Sequence, residues 1–312
     1  MSTSHDDREP LAPPKVEDLG GGLYAYIQPN GTWFINNTGF LVSRTGVISV
    51  DACSTTRRTI AYREAIGRVT PQPIRTLVNT HSHPDHTVGN NQFGTATIVG
   101  HEQTRRETLV PFPMAPGIFE PFDMGDTTPA PPFLTYTDGV TLWSDDLRVE
   151  VKYVGTPAHT TNDSIIWVPE RGVLYAGDLL FNGGTPFLVS GSLSGAIEVL
   201  ETVIAPLGAT TIVPGHGELT GPDLIEPTLA YLRFVQETAK GAHAAGLTPL
   251  EAARETDLGD YAGWHDSERI VGNLHRAYAE IDGKPRGVPL DILAVLTDMV
   301  TYNGGRPLTC RA

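Results

Sequence analysis

The chain has 312 residues, 40% hydrophobic and 19% charged, enough to bury one large core and short for two full domains. Its formal net charge of −14 excludes a surface built to track a phosphate backbone, which needs clustered Lys and Arg, so no nucleic-acid partner is expected. No apolar run nears the ~18 residues of a bilayer-spanning helix, so no membrane partner is expected either. Arg57–Arg58 and Arg105–Arg106 are local basic pairs that read as solvated helix surface. Cys53 and Cys310 form neither a disulfide framework nor a Cys-x-x-Cys metal site.

Residues 1–17 begin MSTSHDDREPLAPPK, polar and Pro-rich, with no basic and apolar leader. They read as a disordered lead-in, and a cytoplasmic location is expected. Short strands follow over 23–28, 40–43 and 47–51, rich in β-branched or aromatic residues and bounded by Gly, Asn or Pro. Helical spacing over 56–69 ends at Pro71 and Pro73. Residues 76–80 form a buried-type strand that runs into a His-rich segment, and a strand over 96–100 leads to His101 and a further helix. The segment 111–133 is dense in proline, which forbids a regular helix or a central strand, yet carries Phe112, Phe119, Phe122 and Phe133. Such a long aromatic loop reads as a lid or pocket wall. Strands resume over 140–143, 147–154, 164–168 and 172–176, then a helix over 194–204 and a strand over 211–213. Helical patterns occupy 227–245, 249–255, 267–281 and 290–300. Strands, helices, strands, then helices indicate two β-layers covered outside by helices.

The chemistry concentrates in His81-Ser-His83-Pro-Asp85-His86, where four metal-binding side chains fall within six residues directly after a strand. In a tight loop they reach two sides of one cavity. His81 and His83 would serve one ion, Asp85 and His86 a neighbour. His159 in TPAHTTND, Asp178 in YAGDLLF and His216 in IVPGHGELTG each follow a strand end. Alone, each reads as an ordinary hydrogen-bonded residue; in this order behind the His81–His86 segment, they complete two coordination shells.

With those residues in place, the sequence resembles the metallo-β-lactamase superfamily, whose signature is His-x-His-x-Asp-His followed by His, Asp and His. The resemblance covers residues 18–230. It implies an α/β fold, the αββα metallo-β-lactamase sandwich, with residues 231–312 as a helical extension packed on the same domain. It also implies His81, His83 and His159 on one ion, Asp85, His86 and His216 on the second, and Asp178 bridging. Asp51 resembles the early Asp that steadies the metal-binding loop, and Thr160 and Ser82 are expected just behind the ligands. Histidine and carboxylate ligands without thiolates suit two zinc ions, with manganese or iron open. Asp85 is also the candidate catalytic residue, placed to orient water or take its proton.

Within the superfamily, zinc β-lactamases usually carry Cys or Ser where this chain has Asp178, and flavin-coupled diiron members Glu where it has His83. Hydroxyacylglutathione hydrolases share the full ligand set, although their basic C-terminal residues have no clear counterpart. The segments GGGLYAYIQPNGTWFINNTGFLV, NTHSHPDHTVGN, GDLLFNGGTPFLVSGSLSG and SERIVGNLHRAYAE more nearly resemble lactamase-type polyketide cyclase/thioesterases. That resemblance implies a small acyl thioester substrate, linked to a carrier protein or coenzyme A, and ring closure or hydrolysis. A lactonase or a glyoxalase II-like hydrolase is the alternative, and a non-catalytic metal-binding protein the outsider. Phe112, Phe119, Phe181 and Phe187 are expected against a flat substrate. The apolar helix near 290–300 either covers the core or pairs two subunits in a homodimer.

Overall fold

The computed structural model describes residues 10–312 apart from positions 111 and 113. The expected disordered lead-in therefore lies outside the described residues over 1–9, and its end is corrected. Lys15–Gly20 form strand β1, antiparallel to β2 (Leu23–Ile27), with Val16 opposite Tyr26. β3 (Thr38–Val42), β4 (Val47–Val50), β5 (Ile74–Val78), β6 (Thr97–His101) and β7 (Leu134–Tyr136) complete a sheet in sequential order, antiparallel as far as β4 and parallel beyond it. The connections carry α1 (Thr56–Val69), α2 (Pro84–Thr87) and α3 (Glu102–Thr108). The second sheet has the order β12-β11-β10-β9-β8, from β8 (Gly139–Ser144), β9 (Leu147–Tyr153), β10 (Ser164–Val168), β11 (Val173–Phe181) and β12 (Thr211–His216). Helices α4 (Leu193–Val199), α5 (Ile225–Ala244), α6 (Pro249–Glu255), α7 (Arg269–Ile281) and α8 (Ile292–Tyr302) cover its outer face.

Side-chain alternation assigns the layers. Along β11, Val173 and Tyr175 point inward to meet Leu23, Leu41, Val50 and Val78 of the first sheet, whereas Leu174 and Ala176 point outward to the helices. Every residue of β10 and β11 is buried, as expected for strands covered on both faces. Tyr62, Ala65 and Ile66 of α1 seal the outer face of the first sheet against Phe40 and Leu77. The expected αββα sandwich with added C-terminal helices is thus present. Val295, Leu296 and Met299 of α8 are buried in the outer core with α6 and α7, so this helix covers the core. Each such side chain contributes about 1.5–3 kcal/mol on burial. Among the described residues, no helix is long and apolar enough to cross a membrane.

The 111–133 segment has no regular strand or helix among its described residues, and it is tied down along its length. Leu308 N–H donates to the Ile118 carbonyl at 2.7 Å, Glu120 N–H to that of Leu308 at 2.9 Å, and Thr56 N–H to that of Met124 at 3.0 Å. The Asn90 amide reaches the Ala130 carbonyl at 3.0 Å. Of the two readings of this loop, these bonds favour a fixed wall over a hinged lid. The paired arginines divide: Arg57 is exposed, while Arg58 is half-buried and bonded to Gln28 and Arg311, which corrects its reading as solvated surface.

Candidate metal centre

Seven side chains converge beyond the ends of β5 and β12 and beside Asp178 within β11, whose strand runs on past the expected end at 176 to Phe181. His81 follows β5, His83 caps α2, and Asp85 and His86 lie on α2, whose Pro84 starts the helix without needing an N–H there. His159 comes from the β9–β10 loop, Asp178 from β11 and His216 from the last position of β12. Two glycines let Asp178 in. Gly177 has φ +54°, in the left-handed region, and a Cβ there would lie 2.9 Å from the Thr80 side chain. The β11–β12 register breaks on either side of it, which aims the next carboxylate out of the strand. A Cβ on Gly215 would stand 1.9 Å from Asp178 Oδ1, so only glycine leaves room for that oxygen.

The donor atoms form two groups, each within 4.8 Å: His81, His83, His159 and Asp178 in one, and Asp85, His86, Asp178 and His216 in the other. Asp178 belongs to both. Its Oδ1 is 3.0 Å from His86 Nε2, and its Oδ2 is 3.3 Å from both His159 Nε2 and His216 Nε2. Asp85 Oδ2 is 3.2 Å from His216 Nε2. Burial holds His81 and His83 below their ordinary values and takes His159 down to about 3, so these three rings are neutral, the ligand form. Burial opposes charge on His86 and His216 too, but Asp178 leads the carboxylates that outweigh it, raising His86 well above its ordinary value and His216 to about 9. On Asp178 burial is likewise outweighed, by His216, His86 and His159, and its carboxyl stays well below the usual range.

These groups fit metal ions. The Nε2 atoms of His81 and His83 are buried and have no hydrogen-bond partner among the described residues, an arrangement that costs about 1–3 kcal/mol per orphaned group unless something binds there. Imidazoles aimed at shared carboxylates, without a thiolate, are a donor set for zinc-class cations.

Asp51 organises the cluster from behind. It has φ +58°. It accepts from Thr80 N–H at 2.7 Å, from the Thr80 hydroxyl at 2.8 Å and from His86 Nδ1 at 2.8 Å. Because the Thr80 proton is spent on Asp51, His81 Nδ1–H donates to Thr80 Oγ1 at 2.9 Å. Both rings are thereby held with Nε2 facing the site. Asp51→Ala is expected to lower metal affinity about 10–100-fold, with Asp51→Asn recovering part of it. Titration against a competing chelator measures this, and an unchanged affinity in Asp51→Ala would remove Asp51 from the account.

Other expected positions land differently. Thr160 supports His159 indirectly: its N–H and its hydroxyl both donate to Asp163 at 2.7 Å, folding the turn that carries His159. Burial pushes that carboxyl up to about 7. Ser82 donates to Glu107 at 2.6 Å, and Asn162 to the same carboxylate at 2.7 Å, so Glu107 of α3 joins the two ligand loops. The pocket above the cluster is lined by Phe112, Phe181 and Phe187, joined by Trp33, Phe34 and Arg269. Phe181 stacks on His216 with ring centroids 5.0 Å apart. Phe119 is corrected: it lies behind this lining, edge-on to Trp33 at 5.2 Å and Phe34 at 5.0 Å. Trp33, Phe34 and Arg269 were not singled out from sequence; the aromatic pair between Gly31 and Asn36-Asn37 is the signal that points to the first two.

The family model described as the metallo-beta-lactamase superfamily matches residues 31–216, more than half of the chain. The chain belongs to the metallo-beta-lactamase superfamily. Among curated proteins, this superfamily member is 28% identical over 226 residues to a hydroxyacylglutathione hydrolase of Rhodospirillum rubrum, spanning 70% of this chain and 76% of that protein. It is also 28% identical over 201 residues to the protein of that name from Brucella ovis, spanning 61% and 68%. A solved metallo-beta-lactamase from Pontibacter korlensis shares the fold, with a TM-score of 0.59, 18% identity, and cover of 71% of this chain and 99% of that one. As a superfamily member with these hydrolase relatives and both His/Asp clusters in place, the protein is a metal-dependent hydrolase.

Proposed function

We propose that this enzyme hydrolyses a thioester, using two zinc ions held by His81, His83, His159, Asp178, Asp85, His86 and His216. The observation that carries the reading is the pair of buried donor groups sharing Asp178, in a chain whose curated relatives are named for cleaving an acyl group from glutathione. When bound, the ions supply Lewis acidity and make water acidic enough to react near neutral pH. The protein's own groups do the rest. Asp85 lines the pocket with its carboxyl lowered to about 2, burial being outweighed by His86 and His216, so it is ionised and can accept a hydrogen bond from the attacking water and orient it. Water adds to the carbonyl carbon, the C–S bond breaks, and the thiol and the carboxylic acid leave. Trp33, Phe34, Phe112, Phe181 and Phe187 exclude bulk water and offer ring faces to a flat, apolar acyl group.

Ring closure of a polyketide thioester uses the same aromatic lining and gains nothing from the relatives' names, so hydrolysis is the better-supported reaction. The test is a rate panel. Acyl thioesters are expected to exceed lactones in kcat/KM by about tenfold or more. Removing metal by chelation should abolish turnover, and zinc at two equivalents per chain should restore it. Undiminished activity in metal-free protein, or a preference for lactones, sinks the reading.

A further inference from the structure

A second and larger cavity lies away from the cluster. It is a groove of about 850 Å³ between residues 11–14, the end of β2, α1, the 111–133 wall and residues 310–312. Arg57, Arg58 and Arg311 line it together with Glu120, whose Oε2 accepts from Cys310 N–H at 3.2 Å. On a chain of net charge −14 this is a concentrated exception. Arg58 is braced by Gln28 at 2.9 Å and the Arg311 carbonyl at 3.0 Å, and its Nε is buried without a partner. Among the described residues neither Arg57 nor Arg58 pairs with a carboxylate. Burial lowers the Arg58 pKa, and the adjacent Arg57 charge adds to that effect. Two cations consecutive on α1, one partly desolvated and neither paired with a carboxylate among the described residues, are stabilised when an anion arrives.

The groove also abuts the metal pocket. Phe122 lines the groove and stands 4.9 Å from Phe34, which lines the pocket. By contrast, the one arginine of the metal pocket, Arg269, is already committed to Asp266 at 2.9 Å and the Thr185 carbonyl at 2.9 Å. We infer that the groove binds the phosphate-bearing head of the substrate's thiol carrier, a nucleotide-type head such as that of coenzyme A, while the acyl arm crosses the rim at Phe122 and Phe34 towards the metals. The inference rests on the thioester reading. The exposed Arg57 guanidinium is free to meet phosphate oxygens while Arg58 adds its charge from behind, and the volume falls in the range of small-molecule sites, about 300–1,000 Å³. Glutathione offers the other anionic head, through carboxylates, and the experiment separates the two.

The zinc-loaded enzyme is titrated calorimetrically with desulfo-coenzyme A, which cannot react, and Arg57→Ala and Arg57→Glu are compared with the wild type. Arg57 is exposed, so both variants should fold, and a melting curve checks this. Binding is expected to weaken about tenfold or more in Arg57→Ala and to be lost in Arg57→Glu. One acyl group is then presented on coenzyme A, on glutathione and on uncharged N-acetylcysteamine. The kcat/KM advantage of the coenzyme A ester over the uncharged ester should fall about tenfold in Arg57→Ala. Absent binding of desulfo-coenzyme A, equal binding in the variants, or an ester ranking headed by glutathione overturns the inference while leaving thioester hydrolysis intact. If no thioester is turned over, hydrolysis itself fails, and the titration still decides the groove.

Discussion

Asp178→Asn is expected to leave a folded protein that retains fewer than one metal ion per chain and has no measurable turnover. The single carboxylate sits 3.0–3.3 Å from three imidazole nitrogens and belongs to both donor groups. Exchanging it for a neutral amide removes the shared negative charge from both metal positions at once. The fall in metal affinity should therefore exceed the about 10–100-fold typical of residues that only orient ligands. Folding should survive, because β11 is held by backbone pairing to β10 and β12, and the amide fits the space that Gly215 leaves open. Elemental analysis after gel filtration, a rate assay and a melting curve together check this. Two ions per chain and near-normal turnover in the variant would refute a shared Asp178.

Legibility in the sequence followed the physics of each feature. The cluster was readable because its chemistry is carried by rare residue types, four of them within six positions and three more next to glycine or in a tight turn. The two-layer fold was readable because β10 and β11 are continuous apolar runs and α1 has a clear helical period. β1 was missed because Lys15, Glu17 and Asp18 give this edge strand a polar look, and charged residues are common where a strand has one side unpaired. β7 is three residues long and follows directly on the proline-dense segment. Phe119 could not be told from Phe112 in a segment without periodicity, and only packing shows that one is behind the pocket and the other in its lining. Thr160 follows His159 in the chain, but the hydrogen bonds of its N–H and hydroxyl run to Asp163, which no spacing reveals. Arg269 left no trace, since a charged residue near a helix start normally faces water.

Arg269→Met is expected to destabilise the protein by about 3–5 kcal/mol, the loss seen when one partner of a buried ion pair is removed. Only 2% of Arg269 is exposed, and its guanidinium carbon lies 3.9 Å from the Trp33 ring centroid and 5.4 Å from that of Phe181. A desolvated cation over a Trp face contributes about 2 kcal/mol, and that contact is lost too, without simple additivity. The uncompensated partner is Asp266, its side chain almost fully buried three residues before α7 begins. Burial raises its pKa from 3.8 to about 6 even though Arg269 pulls it down. A carboxyl raised in the folded state favours folding most when protonated, so its contribution is full below pH 3.8 and is lost as the pH rises through about 6. Removing Arg269 takes away the main charge that restrains this rise and moves the window upward. The deficit of Arg269→Met, measured by urea unfolding, should therefore be larger at pH 8 than at pH 5. Adding Asp266→Asn should restore part of the stability and flatten that pH dependence. Trp33 and Phe181 line the metal pocket, so the single variant should also raise KM as those rings lose their support. A deficit below about 1 kcal/mol, or one independent of pH, would mean that the Asp266–Arg269 pair does not hold up the aromatic wall of the site.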